Sequence, residues 1–484
     1  MLLPTNKIFT IIMTVGSFLL TGCATVGPDY IRPEIPMPQK WSDKSSVSTP
    51  AEPRDSRALA TWWATLNDPK LSELIDHAVN NNPDLKKAQA AVREARALRG
   101  VSAADQYPSL DATASASRLR SSEATGGGKA QNVYSAGLDA TWELDIFGGK
   151  RRAVEAAQAD LEASEADLNG VLVSLAGEVA LNYVDLRSYQ AKLTIAEANC
   201  DAQAETYQIA EWRHEAGLAT QLDLEQAKMS LEQTRAQIPT LEAGLAAAKN
   251  RLSVLVGKHP GALDAELAET KPIPTVQFTI AVGIPADALR SRPDVQKAER
   301  QLAAQTARIG VATADLYPKL SLTGSIGLEA LSPGKVFSAG NESYGLSLPI
   351  SWNIFDAGRV RQNIKVQNTL QEQALAHYEA TILSALEEVE NALIAYAKEQ
   401  TRLQSLAAAE QAAQQAFELA KTRYISGLTD FQVVLDSQRS LLTVQELRAI
   451  SEAQVAADLI RLYKAVGGGW ASLPGSDGQV QKRT

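Results

Sequence analysis

The chain is long and mildly acidic: it has 484 residues, and 56 Asp and Glu outnumber 47 Lys and Arg, so the formal net charge is −9. This length suits two or three ordinary domains or one large repeated domain, and the abundance of alanine, leucine, glutamate and glutamine favours helix. Because no basic tract stands out, the composition argues against nucleic acid as a partner.

The N-terminus, residues 1–22, has the form of a lipoprotein signal peptide. Lys7 supplies a short positive region, and Ile8–Leu20 form an apolar core that is too short to span a bilayer as a stable helix. The motif "LTGC" resembles a bacterial lipobox, which implies cleavage before Cys23 and acylation of that residue, for example with palmitate. Ala24 stands where lipoproteins of the inner membrane carry Asp, so the resemblance implies a lipid anchor in the outer membrane.

Only one other cysteine is present, Cys200. Once Cys23 is acylated, Cys200 has no disulfide partner within the chain. It falls on the apolar stripe of a long predicted helix, so we interpret it as a packed, small hydrophobic side chain.

An internal repeat covers most of the chain after Cys23. The segment "NPDLKKAQAAVREARALRGVSAADQYPSL" (82–110) aligns without gaps on "RPDVQKAERQLAAQTARIGVATADLYPKL" (292–320). The difference in residue number between aligned positions, from 82 to 292, is constant, and we call it the repeat offset. Trp142 and Trp352 keep the same offset. The sequence therefore predicts two similar halves of one fold.

Each half is predicted to contain a helix, two strands, a long helix, a break and a shorter helix. The predicted strands are at about 107–120, 132–146, 317–329 and 343–355. The predicted organisation is the signal peptide 1–22, an extended N-terminal periplasmic segment 23–68, the first repeat 69–257, a linker 258–292, the second repeat 293–467 and a C-terminal tail 468–484.

The predicted strands alternate apolar and polar residues and carry an aromatic residue near each end. Tyr134 and Trp142 mark the second strand, and Tyr344 and Trp352 mark the fourth. This pattern is typical of outer-membrane β-barrels, in which such aromatics form a belt, although a soluble sheet with one buried face gives the same alternation. Because the smallest known barrels have about eight strands, four strands predict a dimer or a trimer.

The long predicted helices carry apolar residues at alternating spacings of four and three, which indicates coiled-coil packing. The first runs over about 149–216, or roughly 100 Å of helix. It breaks at Gly217-Leu218, and its counterpart breaks at Gly427-Leu428. Helices of this length suit a spacer or a conduit.

Motifs for catalysis, metal binding or cofactor binding are not recognisable in the sequence. The four histidines are scattered, and no nucleophile elbow, zinc-protease motif or dinucleotide fingerprint occurs. We therefore expect no enzyme, no cofactor and no metal site.

The segments "IPADALRSRPDVQKAERQL" (284–302), "WELDIFGGKRR" (142–152), "SWNIFDAGR" (351–359) and "VLDSQRSLLTVQ" (434–445) closely resemble the TolC family of outer-membrane efflux channels. The similarity is strongest to its lipoprotein (NodT/OprM-like) branch, which serves resistance-nodulation-division pumps.

The resemblance implies a mainly α protein with a membrane β-barrel. It implies a homotrimer, with a 12-stranded outer-membrane barrel continued by a 12-helix periplasmic α-barrel. The implied partners are a periplasmic adaptor (membrane fusion) protein, an inner-membrane resistance-nodulation-division pump and outer-membrane lipid. The implied function is a passive, gated exit duct that exports drugs or other toxic small molecules.

The resemblance also implies positions for the gate. The family places an acidic ring at the narrow periplasmic end, and "VLDSQR" puts Asp436 and Arg439 on that motif. Tyr424 matches a family tyrosine that helps to hold the closed state, whereas Gln432 stands where relatives often have leucine. The two breaks then become hairpin tips for adaptor docking. The residues of these tips are Gly217, Leu218, Gly427 and Leu428.

Two other functions remain open on the sequence alone. A duct of this type also serves type I protein secretion, and a structural lipoprotein with no pore is the second alternative.

Overall fold

The computed structural model describes residues 25–38, 61–274, 289–290 and 292–469. The predicted signal peptide, Cys23 and most of the predicted C-terminal tail lie outside these residues.

The described elements repeat along the chain. Two 67-residue helices, two 35-residue helices and two 22-residue helices each form a pair, and the members of a pair are separated by the repeat offset. None of the helices in the described segments is long and apolar enough to cross a membrane. The helices are α1 (Pro69–Asn81), α2 (Pro83–Ala104), α3 (Glu123–Gly126), α4 (Gly149–Glu215), α5 (Gln221–Leu255), α6 (Pro293–Ala314), α7 (Arg359–Ile425) and α8 (Phe431–Ala465). The strands are β1 (Ser109–Arg120), β2 (Ala130–Leu144), β3 (Lys319–Ala330), β4 (Glu342–Ser347) and β5 (Ile350–Ser351).

The chain divides into two compact units. The first unit comprises Met1–Glu34, Ala91–Glu165 and Lys297–Ala380, and the second comprises the remaining residues.

The first unit contains an antiparallel sheet in the order β1-β2-β3-β4, with β5 also paired to β3. The predicted fourth strand, 343–355, is therefore two short strands. Pro349 lies in the gap between them, and because proline has no backbone N–H it cannot donate to the ladder. Its carbonyl oxygen still accepts a hydrogen bond from Ser321 N, at 3.1 Å.

The N-terminal segment is fixed to the helices of the first unit. The Arg152 guanidinium donates to the Val26 carbonyl oxygen at 3.1 Å and to the Asp29 carboxylate at 2.6 Å. Gly27 has φ +88°, and a Cβ there would be 2.4 Å from the Gly310 Cα. Only glycine fits this crossing, because the backbones approach too closely for any side chain.

The second unit has the larger hydrophobic core, in which α1 and the turn of 3-10 helix at Trp62–Leu66 pack on α4, α5 and α8. A buried polar network lies within it. The Arg187 guanidinium donates to Tyr183 Oη at 2.7 Å and to the Glu269 carbonyl oxygen at 2.8 Å, and Tyr183 Oη donates to Asp68 Oδ2 at 2.6 Å. This network ties the segment before α1 and the segment after α5 to the long helix α4.

In the second unit, the residues that precede α2 and α6 contact the C-terminal ends of α5 and α8. Asn82 Nδ2 donates to the Leu255 carbonyl oxygen at 2.9 Å, and Arg292 Nη1 donates to the Ala465 carbonyl oxygen at 2.6 Å. These contacts satisfy carbonyl groups at the C-terminal ends of α5 and α8. Cys200, which we interpreted as packed, is a free and only half-buried cysteine on α4.

Candidate functional site

The breaks at Gly217 and Gly427 are matching hairpin turns in the second unit. Gly217 has φ +72° and Gly427 has φ +73°, the left-handed conformation that favours glycine. Leu218 N donates to the Arg213 carbonyl oxygen at 2.7 Å, and Leu428 N donates to the Arg423 carbonyl oxygen at 2.8 Å. Together with the bonds from both glycine amides, these are Schellman motifs, which end α4 and α7.

Each turn presents its leucine to solvent. Leu218 is 67% exposed and Leu428 is 74% exposed. A large apolar side chain that is held outward on a rigid turn is suited to contact with another protein. Sequence reasoning did not single out Trp212, which is 60% exposed on the last turn of α4 and enlarges the apolar surface at the first tip.

The two tips differ in how the following helix begins. At the first tip, Thr220 and Asp223 form a capping box: Asp223 N donates to Thr220 Oγ1 at 3.2 Å, and Thr220 N donates to Asp223 Oδ2 at 2.9 Å. At the second tip, Asp430 precedes α8, but its side chain makes no capping hydrogen bond. The second tip is therefore stabilised less by its own residues.

The second tip is instead contacted by Arg213, which lies in the last turn of α4, beside the first tip. Arg213 Nη1 lies 2.9 Å from the Tyr424 carbonyl oxygen and 3.3 Å from the Ile425 carbonyl oxygen, and the guanidinium lies 4.5 Å from the centre of the Tyr424 ring. A positive charge at the C-terminal end of α7 interacts favourably with the last carbonyl groups, which have no partner within the helix, and with the helix dipole. Sequence reasoning missed this residue, because its partner lies in the other repeat, far away along the chain.

Tyr424 belongs to a small buried cluster with Phe431, whose ring centre lies 5.1 Å from that of Tyr424. It is 6% exposed, and neither its hydroxyl nor Arg213 Nε has a hydrogen-bond partner among the described residues. Burial raises the pKa of Tyr424, and the neighbouring positive charge of Arg213 opposes that effect. Buried polar atoms without partners are unfavourable, so they offset part of the stabilisation that the Arg213 hydrogen bonds give to the second tip.

Asp436 lies on α8, in the second turn of the helix, and is exposed. Its Oδ1 accepts a hydrogen bond from Gln432 Nε2 at 3.0 Å. Gln432 is the residue that stands where relatives often have leucine, and its amide orients the carboxylate one turn further along the helix. Arg439 is half-buried on the same helix.

The four predicted belt aromatics all lie in or beside the sheet. Tyr134 and Trp142 are half-buried on β2, whereas Tyr344 on β4 and Trp352 just after β5 are exposed. Trp142 Nε1 donates to the Gln106 carbonyl oxygen at 2.8 Å, and Trp352 Nε1 makes the equivalent bond to Leu316 at 3.0 Å. Both indoles thus anchor the helix-to-strand connection of their own repeat.

The second unit also contains a cavity of about 970 Å³. Several of its charged side chains form pairs with one another, among them Arg292 with Glu388 and Arg461 with Asp458, at 2.7 and 2.6 Å. Within the described segments, no three His, Cys, Asp or Glu side chains are grouped so as to hold a metal ion.

Comparison with known proteins identifies the chain. The model of the outer membrane efflux protein family matches residues 74–258 and 284–468, one match for each repeat. The chain belongs to the outer membrane efflux protein family. This confirms the resemblance seen in the sequence, and the protein is an outer-membrane efflux duct.

Individual relatives agree with this assignment. The chain is 31% identical to nodulation protein T of Rhizobium leguminosarum bv. viciae over 96% of this chain and 94% of that protein. It is 32% identical to the solvent efflux pump outer membrane protein SrpC of Pseudomonas putida, over 94% of this chain and 97% of the relative.

Solved structures of efflux channels share the fold. The outer-membrane channel OprN superposes with a TM-score of 0.85 at 36% identity, over 92% of this chain and 100% of that one. The open state of the Neisseria gonorrhoeae MtrE outer membrane channel gives a TM-score of 0.82 at 27% identity, over 92% of this chain and 99% of that one. The internal duplication and mainly helical character predicted from the sequence are confirmed.

Proposed function

We propose that the protein acts as a homotrimer in which three four-stranded sheets close into one 12-stranded outer-membrane barrel, continued by a periplasmic barrel of 12 helices. One observation carries the proposal: the sheet of the first unit has an apolar face exposed to solvent, and its two outer edges pair with no other strand among the described residues. Leu138, Ile326 and Leu346 are exposed on that face. Unpaired backbone groups are unfavourable in a bilayer, so strands of other copies must complete the ladder.

In this proposal the duct is tethered by acylation of Cys23 and exports small organic molecules delivered by a periplasmic adaptor and an inner-membrane resistance-nodulation-division pump. The relatives SrpC and ArpC are named for solvent efflux and antibiotic efflux pumps, which supports small organic molecules as the exported class. The belt aromatics Tyr134, Trp142, Tyr344 and Trp352 would lie at the two membrane boundaries.

The gate in this proposal is the ring of three Asp436 carboxylates at the narrow periplasmic end. Three like charges that face one axis repel one another and attract cations. Gln432 would orient each carboxylate, and Arg439 and Tyr424 would support the closed arrangement of the second hairpin.

Planar-bilayer recordings of the purified protein test both the pore and the gate. The matched variants Asp436→Asn and Asp430→Asn remove the same charge within the same hairpin, and asparagine also preserves the N-cap position at 430. We expect only Asp436→Asn to raise single-channel conductance and reduce cation preference. Equal behaviour of the two variants would refute the gate, and an assembled protein without conductance would indicate a structural lipoprotein instead.

The tips Gly217-Leu218 and Gly427-Leu428 are the proposed docking sites for the adaptor. Substitution of both leucines by aspartate leaves the Schellman turns intact, because the side chains point to solvent, but it removes the apolar surface. We expect loss of efflux in a strain with a normal level of trimer in the outer membrane, whereas double substitution by methionine should retain efflux. Undiminished resistance in the aspartate variant would argue against docking at the tips.

A further inference from the structure

Two arginines lie at the C-terminal end of β1, on the apolar face of the sheet. Leu138, which is exposed on that face, is opposite Ala112 of β1. Successive side chains of a strand alternate between the two faces. Arg118 and Arg120 are an even number of positions beyond Ala112, so they lie on the same face. Both are exposed, and neither forms an ion pair within the described residues.

The acidic side chains of β1 and β2 lie on the opposite face. They are Asp111, Asp139 and Glu143, each an odd number of positions from Ala112 or Leu138. Thr113 Oγ1 donates to Asp139 Oδ2 at 2.8 Å on this second face. The apolar face of the first hairpin therefore carries two positive charges and no negative charge.

The duplicated fold does not itself require arginine at these positions. One repeat offset later, the residues of β3 are Leu328 and Ala330, which are apolar. Asn132, which is opposite Arg118, corresponds in the same way to Glu342 of β4. The positive charges thus belong to the first hairpin alone, and the strand pattern that both hairpins share does not account for them.

The arginines lie just beyond the level of the aromatic belt in the proposed barrel. Tyr134 is opposite Ala116, and Arg118 and Arg120 follow on the same face. A strand rises about 3.3 Å per residue and tilts by about 40° in a barrel, which places them roughly 5 and 10 Å beyond Tyr134 along the membrane normal. Lipid headgroups occupy about 5 to 7 Å on each side of the hydrocarbon core. The helices adjoin the other ends of the strands, so this boundary is the outer one.

The two guanidinium groups retain donors for a ligand. Arg120 Nε donates to the Gly128 carbonyl oxygen at 2.9 Å, which fixes the side chain and leaves both terminal nitrogens without a partner among the described residues. Arg118 makes no hydrogen bond in the described part of the chain, and the Asn132 side chain opposite it is exposed. The two Cα atoms are about 7 Å apart, a separation at which both side chains reach one phosphate group or two adjacent ones. A guanidinium binds phosphate through two parallel hydrogen bonds.

We propose that Arg118 and Arg120, together with Asn132, bind the phosphate of a phosphorylated glycolipid of the outer leaflet, of the lipid A type. The inference rests on the proposed outer-membrane barrel and adds a ligand to its lipid-facing surface. Below the arginines, Ala112, Ala114 and Ala116 form a row of small, exposed apolar side chains that leaves room for acyl chains. A positive pair above an apolar row is complementary to an anionic lipid in both of its parts, whereas a soluble anion would use only the charges.

Native mass spectrometry of the delipidated full-length lipoprotein tests the site, with diphosphorylated lipid A as the probe. We expect the variant Arg118→Gln with Arg120→Gln to bind the probe at least about tenfold more weakly than the wild type, because the charged hydrogen bonds to phosphate are lost. Arg118→Lys with Arg120→Lys should lie between the two, since lysine keeps the charge but lacks the planar pair of donors.

Matched controls separate this site from general attraction by positive charge. Arg118→Gln and Lys335→Gln each remove one positive charge at the outer end of the sheet, and only Arg118→Gln should weaken binding. Dephosphorylated lipid A and phosphatidylglycerol are the ligand controls. Both should bind the wild type at least about tenfold more weakly than diphosphorylated lipid A, the first because it lacks the phosphates and the second because it has a single phosphate and two acyl chains.

The possible outcomes distinguish the lipid site from the duct. Equal binding by the wild type and the double glutamine variant would overturn the proposal. So would equal weakening by Lys335→Gln, or equal binding of either control lipid. Planar-bilayer recordings of the same wild-type preparation complete the test: conducting trimers that do not bind lipid A refute the lipid site alone, whereas a monomer without conductance refutes the proposed duct.

Discussion

Substitution of Gly427 by alanine isolates the contribution of backbone conformation to the second tip. Gly427 has φ +73°, and a Cβ at this position would meet no atom within 4 Å. The destabilisation therefore arises from the left-handed backbone alone, about 1 to 2 kcal/mol for a residue with a side chain. That free energy corresponds to roughly 5- to 30-fold more frequent opening of the turn.

Hydrogen exchange with peptide-level mass spectrometry measures this opening. The amides of Gly427 and Leu428 donate to the carbonyl oxygens of Tyr424 and Arg423 at 2.9 and 2.8 Å, so they exchange when the turn opens. We expect peptides over 420–430 to exchange about 5- to 30-fold faster in Gly427→Ala. Gly427→Asn should lie close to the wild type, because asparagine adopts the left-handed conformation more readily.

A glycine without positive φ provides the control. Gly100 on α2 also has no atom within 4 Å of a built Cβ, but its backbone is helical. Gly100→Ala should leave exchange at the tip unchanged and should stabilise α2 by roughly 0.5 to 1 kcal/mol. Equal exchange at 420–430 in Gly427→Ala, Gly427→Asn and the wild type would show that φ at this glycine does not determine the stability of the turn.

Three further predictions concern charged side chains. Arg213→Ala removes the charged hydrogen bonds to the end of α7 and should destabilise the second tip by about 1.5 to 3 kcal/mol, seen as faster exchange over 420–428 with the first tip unchanged. Arg292→Ala leaves the Ala465 carbonyl oxygen and the Asp294 and Glu388 carboxylates without their buried donor. Because both carboxylates are half-exposed, we expect the free energy of unfolding to fall by about 2 kcal/mol, which is less than for a fully buried ion pair. Thermal unfolding measures this change. Burial alone would raise the pKa of Asp294, but the hydrogen bond and charge of Arg292 lower it below its usual value. The resulting stability is present above the unfolded-state pKa and is lost as pH falls through the folded-state pKa. The difference in melting temperature between wild type and Asp294→Asn should therefore be largest near neutral pH and should shrink as the pH is lowered through the folded-state pKa.

Features that depend on local sequence could be predicted without the structure. The alternation around Trp142 and Trp352 indicates strands because successive side chains of a strand point to opposite faces. The glycine at each break indicates a helix end because only glycine adopts the left-handed conformation without strain. The gap in the fourth strand was also indicated locally, because Pro349 has no backbone N–H. We nevertheless predicted one continuous strand, because apolar and polar residues alternate on both sides of the proline.

Features that depend on which helix faces meet could not be predicted. Arg213 contacts Tyr424 only because the ends of α4 and α7 lie side by side, and no periodicity in either helix specifies that pairing. Cys200 follows the apolar spacing but is half-buried, because the spacing defines a stripe along a helix and not how far a neighbour covers it. Gln432 was recognised as a departure from relatives, yet its hydrogen bond to Asp436 depends on the rotamers of both side chains.

The two repeats form tips that have the same backbone conformation but are stabilised by different side-chain contacts. The position of His214 in the first tip is occupied by Tyr424 in the second. His214 Nδ1 lies 3.1 Å from the Ala219 carbonyl oxygen within its own turn, and a capping box follows. Tyr424 is buried, and its hydroxyl has no hydrogen-bond partner within the described segments. The Asp430 side chain does not cap the following helix, and Arg213 beside the first tip contacts the end of α7. The first tip is thus stabilised by its own residues, whereas the second tip, which precedes Asp436, is also stabilised by contact with the first. A change that moves the two hairpins apart therefore acts first on the tip next to Asp436.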